Sequence, residues 1–191
     1  MAIGGWFRRN PEEAPAEALY GKLVAQARRP EFYAGCGVPD TVDGRFDLIA
    51  LHLFLVLHRL KRDHPASAKL AQAVFDTMFH DMDQSLREMG AGDLGVGRRV
   101  KAMIQGLYGR IAAYETGLGQ PDAALHEALR RNLYGTTEPH QAHLEALAAY
   151  MRRQVVTLAE QGYERLSAGE VVFGEPPAPV YAAPMPPAGR A

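Results

Sequence analysis

Residues 45–62, RFDLIALHLFLVLHRLKR, limit the fold more than any other stretch. Projected at 100° per residue, Ile49, Phe54, Val56 and the leucines surround most of a helix's circumference. A helix that is apolar nearly all round belongs at the centre of a bundle, covered by other helices. His52 lies within that apolar surface. It reads as a core imidazole bonded to a carbonyl, with a ligand or switch role as the alternative. The remaining periodic segments supply the cover. Ala16–Arg29 reads as a first helix stopped by Pro30, since proline suits a helix start and not its interior. The loop PEFYAGCGVPDTVDG follows, with Asp40 and Asp43 as N-cap candidates for the central helix. Beyond Asp63-His64-Pro65, a third helix runs from Ala66 to Met89, a fourth over Arg98–Thr116 and a fifth over Asp122–Leu133. Thr136 and Thr137 are cap candidates for a sixth, Pro139–Gln161. Its Leu144, Leu147, Ala148, Met151, Val155 and Leu158 repeat at i, i+3, i+4, i+7, the stripe of a helix lying on a core.

No segment reads as a convincing strand. The expected fold is all-α: a single compact domain of about six helices over residues 16–167. A flexible N-terminus precedes it at 1–15, and a Pro-rich tail, extended or disordered, follows at 168–191. Six prolines lie beyond Gly169, and only Val171-Val172-Phe173 suggests a short extended piece. Apolar residues make up 47% of the 191, enough for one substantial core.

Partners follow from charge. The net charge is −1, so no global field recruits DNA or membrane, and an electrostatic partner must be met by a local patch. Cys36 is the only cysteine, which excludes an intrachain disulfide and a cysteine zinc cluster and suits a reducing compartment. The start, MAIGGWFRRNPEEAP, lacks the long apolar run of a secretory signal. Phe46–Leu60 is about 15 residues long and carries charge, short of the roughly 20 apolar residues of a span. A cytoplasmic protein is expected, with Trp6, Phe7, Arg8 and Arg9 as candidates for peripheral contact with a membrane interface.

Residues 75–101, FDTMFHDMDQSLREMGAGDLGVGRRVK, carry the strongest chemical pattern. Gly90, Gly92 and Gly95 match the dinucleotide-loop spacing, but that loop must leave a strand, and here it leaves a helix. The glycines read instead as a helix end and a tight connection spanning Gly90–Gly97. No credible ATP site results, and no cofactor is expected. On the third helix Asp76, His80, Asp83 and Arg87 share a sector of about 60°. Two carboxylates beside an imidazole suit iron or zinc, but Arg87 opposes a dication and no second acidic helix with Glu-x-x-His spacing follows. An i, i+4 charge ladder is the simpler account. Residues 76–93 hold five acids and one arginine, while 97–110 hold Arg98, Arg99, Lys101 and Arg110 with no acids. The two helices are therefore expected to return antiparallel and partly neutralise each other. Ala102, Gly106, Gly109 and Ala113 give the fourth helix a seam that lets another helix approach. Arg59, Lys61 and Arg62 form a further cationic cluster, read as a solvated helix end or as a contact for phosphate-rich RNA or lipid. No hydrolase motif is present.

The stretch FDTMFHDMDQSLREMGAGDLGVGRRVKAM resembles the signature of the ubiquinol–cytochrome c chaperone family, assembly factors of the cytochrome bc1 complex. LYGKLVAQARRPEFYAGCGVPDTVDGRFDLIALHLFLVLHRL at 19–60 and GLYGRIAAYE at 106–115 agree with it. The resemblance covers Leu19–Gly117 and fades towards residue 170. It implies an all-helical, non-enzymatic chaperone, cytoplasmic or peripheral to the inner membrane, whose client is newly made cytochrome b or an early bc1 intermediate. It also implies ribosome contact and a small partner protein, as in the mitochondrial members. The matched surface is Asp76, His80, Asp83, Arg87, Gly95, Gly97, Arg98, Arg99, Lys101, Tyr108 and Arg110, taken as a partner-binding face, with a role in holding the fold together as the alternative. Met78, Met82, Met89 and Met103 cluster in the same region, either as adaptable client surface or as ordinary core. The rival class is a haem, quinone or lipid carrier, or a metal-dependent enzyme using Asp76, His80 and Asp83.

Overall fold

The computed structural model describes residues 11–88 and 93–180. Among the described residues seven helices run in the order α1 (Glu13–Ala27), α2 (Val42–Lys61), α3 (Ala68–Glu88), α4 (Asp93–Leu118), α5 (Asp122–Leu133), α6 (Gln141–Ala159) and α7 (Tyr163–Ser167). No strand occurs among the described residues. As its all-round apolarity predicts, α2 is the centre, packed against α1, α3, α4, α5 and α6. Leu48, Leu51, Leu53, Phe54, Leu55, Val56 and Leu60 are all buried, so α2 faces neighbours on several sides. The fold is a single all-helical domain in which α3 contributes the buried stripe Leu70, Val74, Met78 and Met82. From α6 come Leu144, Leu147, Ala148, Met151 and Leu158, with Val155 only partly covered.

Several boundaries differ from the sequence expectation, each for a local reason. The cap of α2 is Thr41, whose hydroxyl accepts from Gly44 N at 3.1 Å. Asp40 is instead engaged by Arg45 at 2.7 Å, and Asp43 lies in the first turn. The segment after Pro30 is not a plain loop: Glu31–Gly35 forms one π-turn, which buries Phe32. The fourth helix opens at Asp93, so Gly95 and Gly97 lie inside it rather than in a connection. A glycine in a helix costs about 1 kcal/mol, and an acid at the N-terminus favours the macrodipole, so the helix can run through them.

Beyond α7 the chain turns at Gly169, which adopts φ 80°. An added Cβ there would stand 2.8 Å from the Ala18 side chain. The chain then runs without helix to Val180. This stretch is laid on the body: Val171, Pro176 and Pro177 are buried, and Val180 N donates to Gly35 O at 2.9 Å. Proline content foretold the loss of helix but carried no sign of this docking.

Candidate functional site

Two regions hold the groups with chemical potential: the buried polar chain behind α2, and the outer surface of α3 and α4.

His52 is fully buried among aromatic rings, with Phe32 edge-on at 5.3 Å and Phe173 at 5.6 Å. Its Nδ1 lies 2.8 Å from Leu48 O and its Nε2 2.8 Å from the Tyr150 hydroxyl. A carbonyl only accepts, so Nδ1 carries the proton and Nε2 is the acceptor. Tyr150 therefore donates to His52, and it accepts from Gln26 Nε2 at 3.1 Å. The chain Gln26, Tyr150, His52, Leu48 is directional, and it leaves no place for a second imidazole proton. Burial accordingly pushes the pKa down to about 4. The core-imidazole reading holds for this residue.

A depressed histidine pKa stabilises the fold above its unfolded value near 6.5, and that contribution is lost as pH falls towards 4. The loss amounts to about 3 kcal/mol in full. Asp47 acts in the opposite sense, because burial pushes its carboxyl up to about 6 against the pull of Arg110. The measurement is therefore a difference between proteins. His52→Gln is expected to flatten the fall in stability between pH 6.5 and 4 relative to wild type in urea titrations. Parallel curves would show that His52 does not sense pH.

The outer surface is different. Asp76 and His80 are exposed. Asp76 accepts from Gln72 at 2.7 Å, and Asp76 and His80 border a hollow with Glu13 and Glu17 of α1. Arg87 Nε meets Asp83 at 2.6 Å, the expected i, i+4 pair. Arg110 turns inward: it donates to Asp47 on α2 at 2.6 Å and lies over the Phe46 ring at 5.4 Å. Lys101 is exposed, one heptad from Tyr108 and thus on the same face of α4. Arg98, Arg99, Gly95 and Gly97 belong to the first turns of α4, and their side-chain environment lies outside the described residues, as does Met89. The structure thus divides the predicted face. Asp76 and His80 look towards α1, Arg110 towards α2, and Tyr108 outward.

Tyr108 belongs to an aromatic surface cluster that the sequence did not assemble. It is 58% exposed, and its ring lies 5.5 Å from that of Phe75, which packs on Phe79 at 4.7 Å. Phe75, Tyr108, Leu57, Ala71 and Ile111 line a groove of about 360 Å³ between α2, α3 and α4, with Lys61, His64 and Gln72 on its polar side. The Phe75–Phe79 i, i+4 spacing was legible, but the third ring comes from another helix. Met78 and Met82 are buried and Met103 is partly buried, so these three serve the core. Of the small-residue seam, Gly106, Gly109 and Ala113 line a hollow of about 570 Å³ beside α5, where Gly109 faces open space; the tight packing on α5 is made instead by Gly117, against Leu125, beyond the seam.

Arg59 departs most from expectation. It belongs neither to a solvated cluster nor to a nucleic-acid or lipid contact, being buried against the end of α6. Glu115, by contrast, is held below the usual carboxylate range, chiefly by Lys61, which approaches to 2.8 Å, and then by His58 at 3.0 Å.

Comparison with known proteins covers most of the chain. A sequence model described as "Ubiquinol-cytochrome C chaperone" matches residues 34–173. The chain is 30% identical over 176 residues to "Ubiquinol-cytochrome-c reductase complex assembly factor 1" of Xenopus laevis, covering 91% of this chain and 88% of that protein. It is 28% identical over 154 residues to the human protein of the same description, covering 80% of this chain and 52% of the human one. The crystal structure of the Cbp3 homolog from Brucella abortus matches with a TM-score of 0.77 at 40% identity, over 86% of this chain and 91% of that one.

Proposed function

Since this chain belongs to the ubiquinol-cytochrome C chaperone family, we propose that it assists assembly of the ubiquinol–cytochrome c reductase complex by holding newly made cytochrome b, or an early intermediate containing it. It acts by binding and release, with no bond made or broken and no nucleotide consumed. The observation that carries this reading is the match over 34–173, joined to the exposed aromatic groove that the matched residues build. A membrane protein's helix presents large apolar side chains that would aggregate in water. Phe75, Leu57 and Ile111 offer such a helix apolar cover, and Tyr108 adds an amphipathic ring of the kind favoured at interfaces. Lys61 and Gln72, with Lys101 one heptad away, supply the polar rim. In this proposal Asp76, His80, Asp83 and Arg87 of α3, with Arg98 and Arg99 of α4, act as charges that orient the approaching client rather than as part of the groove. No helix among the described residues is long and apolar enough to cross a membrane. Contact with the ribosome and with a small partner protein completes the proposal.

Deletion of the gene is expected to abolish assembled complex while cytochrome b transcript persists; normal complex levels would refute the reading. Tyr108→Asp is expected to weaken client capture about 30-fold, a loss of about 2 kcal/mol. Its unfolding free energy should shift by no more than about 0.5 kcal/mol, because the side chain is mostly solvated. Equal loss of stability and capture would assign Tyr108 to the fold.

A further inference from the structure

The stretch 170–180 is bound in an unusual way, through its main chain and largely by glutamine side chains. Gln161 Oε1 accepts from Val172 N at 2.9 Å, and its Nε2 donates to Val172 O at 2.7 Å. Two residues on, Gly174 N donates to Gln154 Oε1 at 2.9 Å, and Gly174 O accepts from Gln26 Nε2 at 2.9 Å. Both polar groups of alternate residues are thus paired, as a neighbouring strand would pair them. The glutamines stand on α1 (Gln26), on α6 (Gln154) and just past its end (Gln161), and all three are buried. Gln26 Nε2 also donates to the Tyr150 hydroxyl at 3.1 Å and Gln161 Nε2 to Thr157 O at 3.1 Å, so these amides are held in place from the body side while they face the main chain of the stretch.

The side chains of the stretch match. Val171 is buried and Phe173 packs on the His52 ring at 5.6 Å, while Val172 between them is exposed. A Cβ on Gly174 would stand 2.9 Å from Gln154 Nε2, so a larger residue there requires the Gln154 amide to shift from its bond to the main chain. Pro176 and Pro177 are buried and bring no N–H that needs a partner. Val180 N closes the contact on Gly35 O at 2.9 Å. Glu175 also pairs with Arg29 at 2.9 Å, and Glu170 pairs with Arg165 at 3.3 Å while its N–H donates to Arg165 O at 2.9 Å; the two ion pairs are largely solvated and worth little.

We propose that the groove between α1, the π-turn and α6 is a reader of extended main chain whose tethered ligand is residues 170–180. Release of this latch opens the groove to a second extended segment of the pattern apolar-x-aromatic-Gly followed by prolines. The inference rests on this geometry alone and stands apart from the client assignment. A tethered occupant competes with a free one, so the apparent affinity for a free segment is reduced by the fraction of time the latch is open.

The probe is a fluorescently labelled peptide EVVFGEPPAPV, residues 170–180, added to the full chain. Phe173→Asp is introduced in the chain to keep its own latch from docking while leaving the groove intact. The peptide is expected to bind this variant at least about tenfold more tightly than wild type, by the competition above. The same peptide with Phe173→Asp should not bind, and adding Gln161→Ala to the chain should abolish binding. Equal affinity of wild type and variant, or no binding to a folded variant, would overturn the proposal. Native-state hydrogen exchange on wild type keeps the test decisive if the variant fails to fold. The amides of Val172, Gly174 and Val180 should open well before those of α2 and α6; release only with global unfolding would also overturn it.

Discussion

Replacing Arg59 by methionine is expected to lower the stability of the domain by about 3–5 kcal/mol, from about 1–3 kcal/mol for a buried carbonyl left without its donor and about 1.5–3 kcal/mol for the charged hydrogen bonds lost with it. The side chain is 7% exposed, and its whole fork is used. Nε donates to Leu158 O at 2.9 Å, Nη2 to Gln161 O at 2.6 Å, and Nη1 to Asp63 on its own helix. The last carbonyls of a helix have no intrahelical partner, and a cation there also meets the negative end of the macrodipole. Arg59 therefore fastens the end of α6 to the central helix. Methionine fills the volume but leaves the Gln161 carbonyl buried with no donor from α2. Asp63 is partly exposed and rehydrates at little cost, so most of the loss lies with the carbonyls. In a domain of this size the melting midpoint should fall by about 2–4 °C per kcal/mol, hence about 6–20 °C. Arg59→Lys should recover only part of it, since an ammonium cannot reach three acceptors in a planar fork. A change below about 1 kcal/mol in denaturant titrations would mean that water replaces the guanidinium.

That residue also shows what a sequence can and cannot disclose here. The periodicity of α2 placed the centre of the bundle correctly, because apolarity all round a helix has few other solutions. Arg59 lies seven residues from His52 and four from Leu55, and so shares their face, whereas Lys61 is rotated by about 200°. That register separates the buried cation from its exposed neighbours, but charge type masks it. The stripe of α6 and the Asp83–Arg87 pair were legible because both ends lie within one helix. The surface cluster was only half legible: Phe75 and Phe79 are an i, i+4 pair, but Tyr108 reaches them through tertiary packing. Least legible was the docking of residues 170–180. Its bonds run from glutamine side chains to main chain, and neither party leaves a compositional trace. The early start of α4 was hidden by Gly95 and Gly97, whose weak local preference is overridden once the neighbouring turns are helical.

The same single-atom substitution should have opposite signs at two helical glycines. In a solvent-facing helix, Gly→Ala stabilises by about 0.5–1 kcal/mol through lost backbone freedom in the unfolded chain. Gly21 of α1 and Gly109 of α4 meet that condition, for an added Cβ finds nothing within 4 Å at either. Gly44, in the first turn of α2, does not. A Cβ there would stand 2.0 Å from the carbonyl oxygen of Pro39 and 3.0 Å from its carbon. The obstacle is backbone held by a proline ring, not the far end of a flexible side chain. To clear it, the Pro39 peptide must move by more than an ångström, and it carries Asp40 and Thr41 with it. The Thr41 hydroxyl would then lose Gly44 N, removing a cap worth about 1 kcal/mol. With overpacking strain of about 1–3 kcal/mol added and the propensity gain subtracted, Gly44→Ala should destabilise by about 2 kcal/mol. Urea titrations of the three variants check the signs together. If Gly44→Ala proves neutral or stabilising while Gly21→Ala and Gly109→Ala stabilise, the turn into α2 yields freely, and the entry of the central helix is not fixed by the missing side chain.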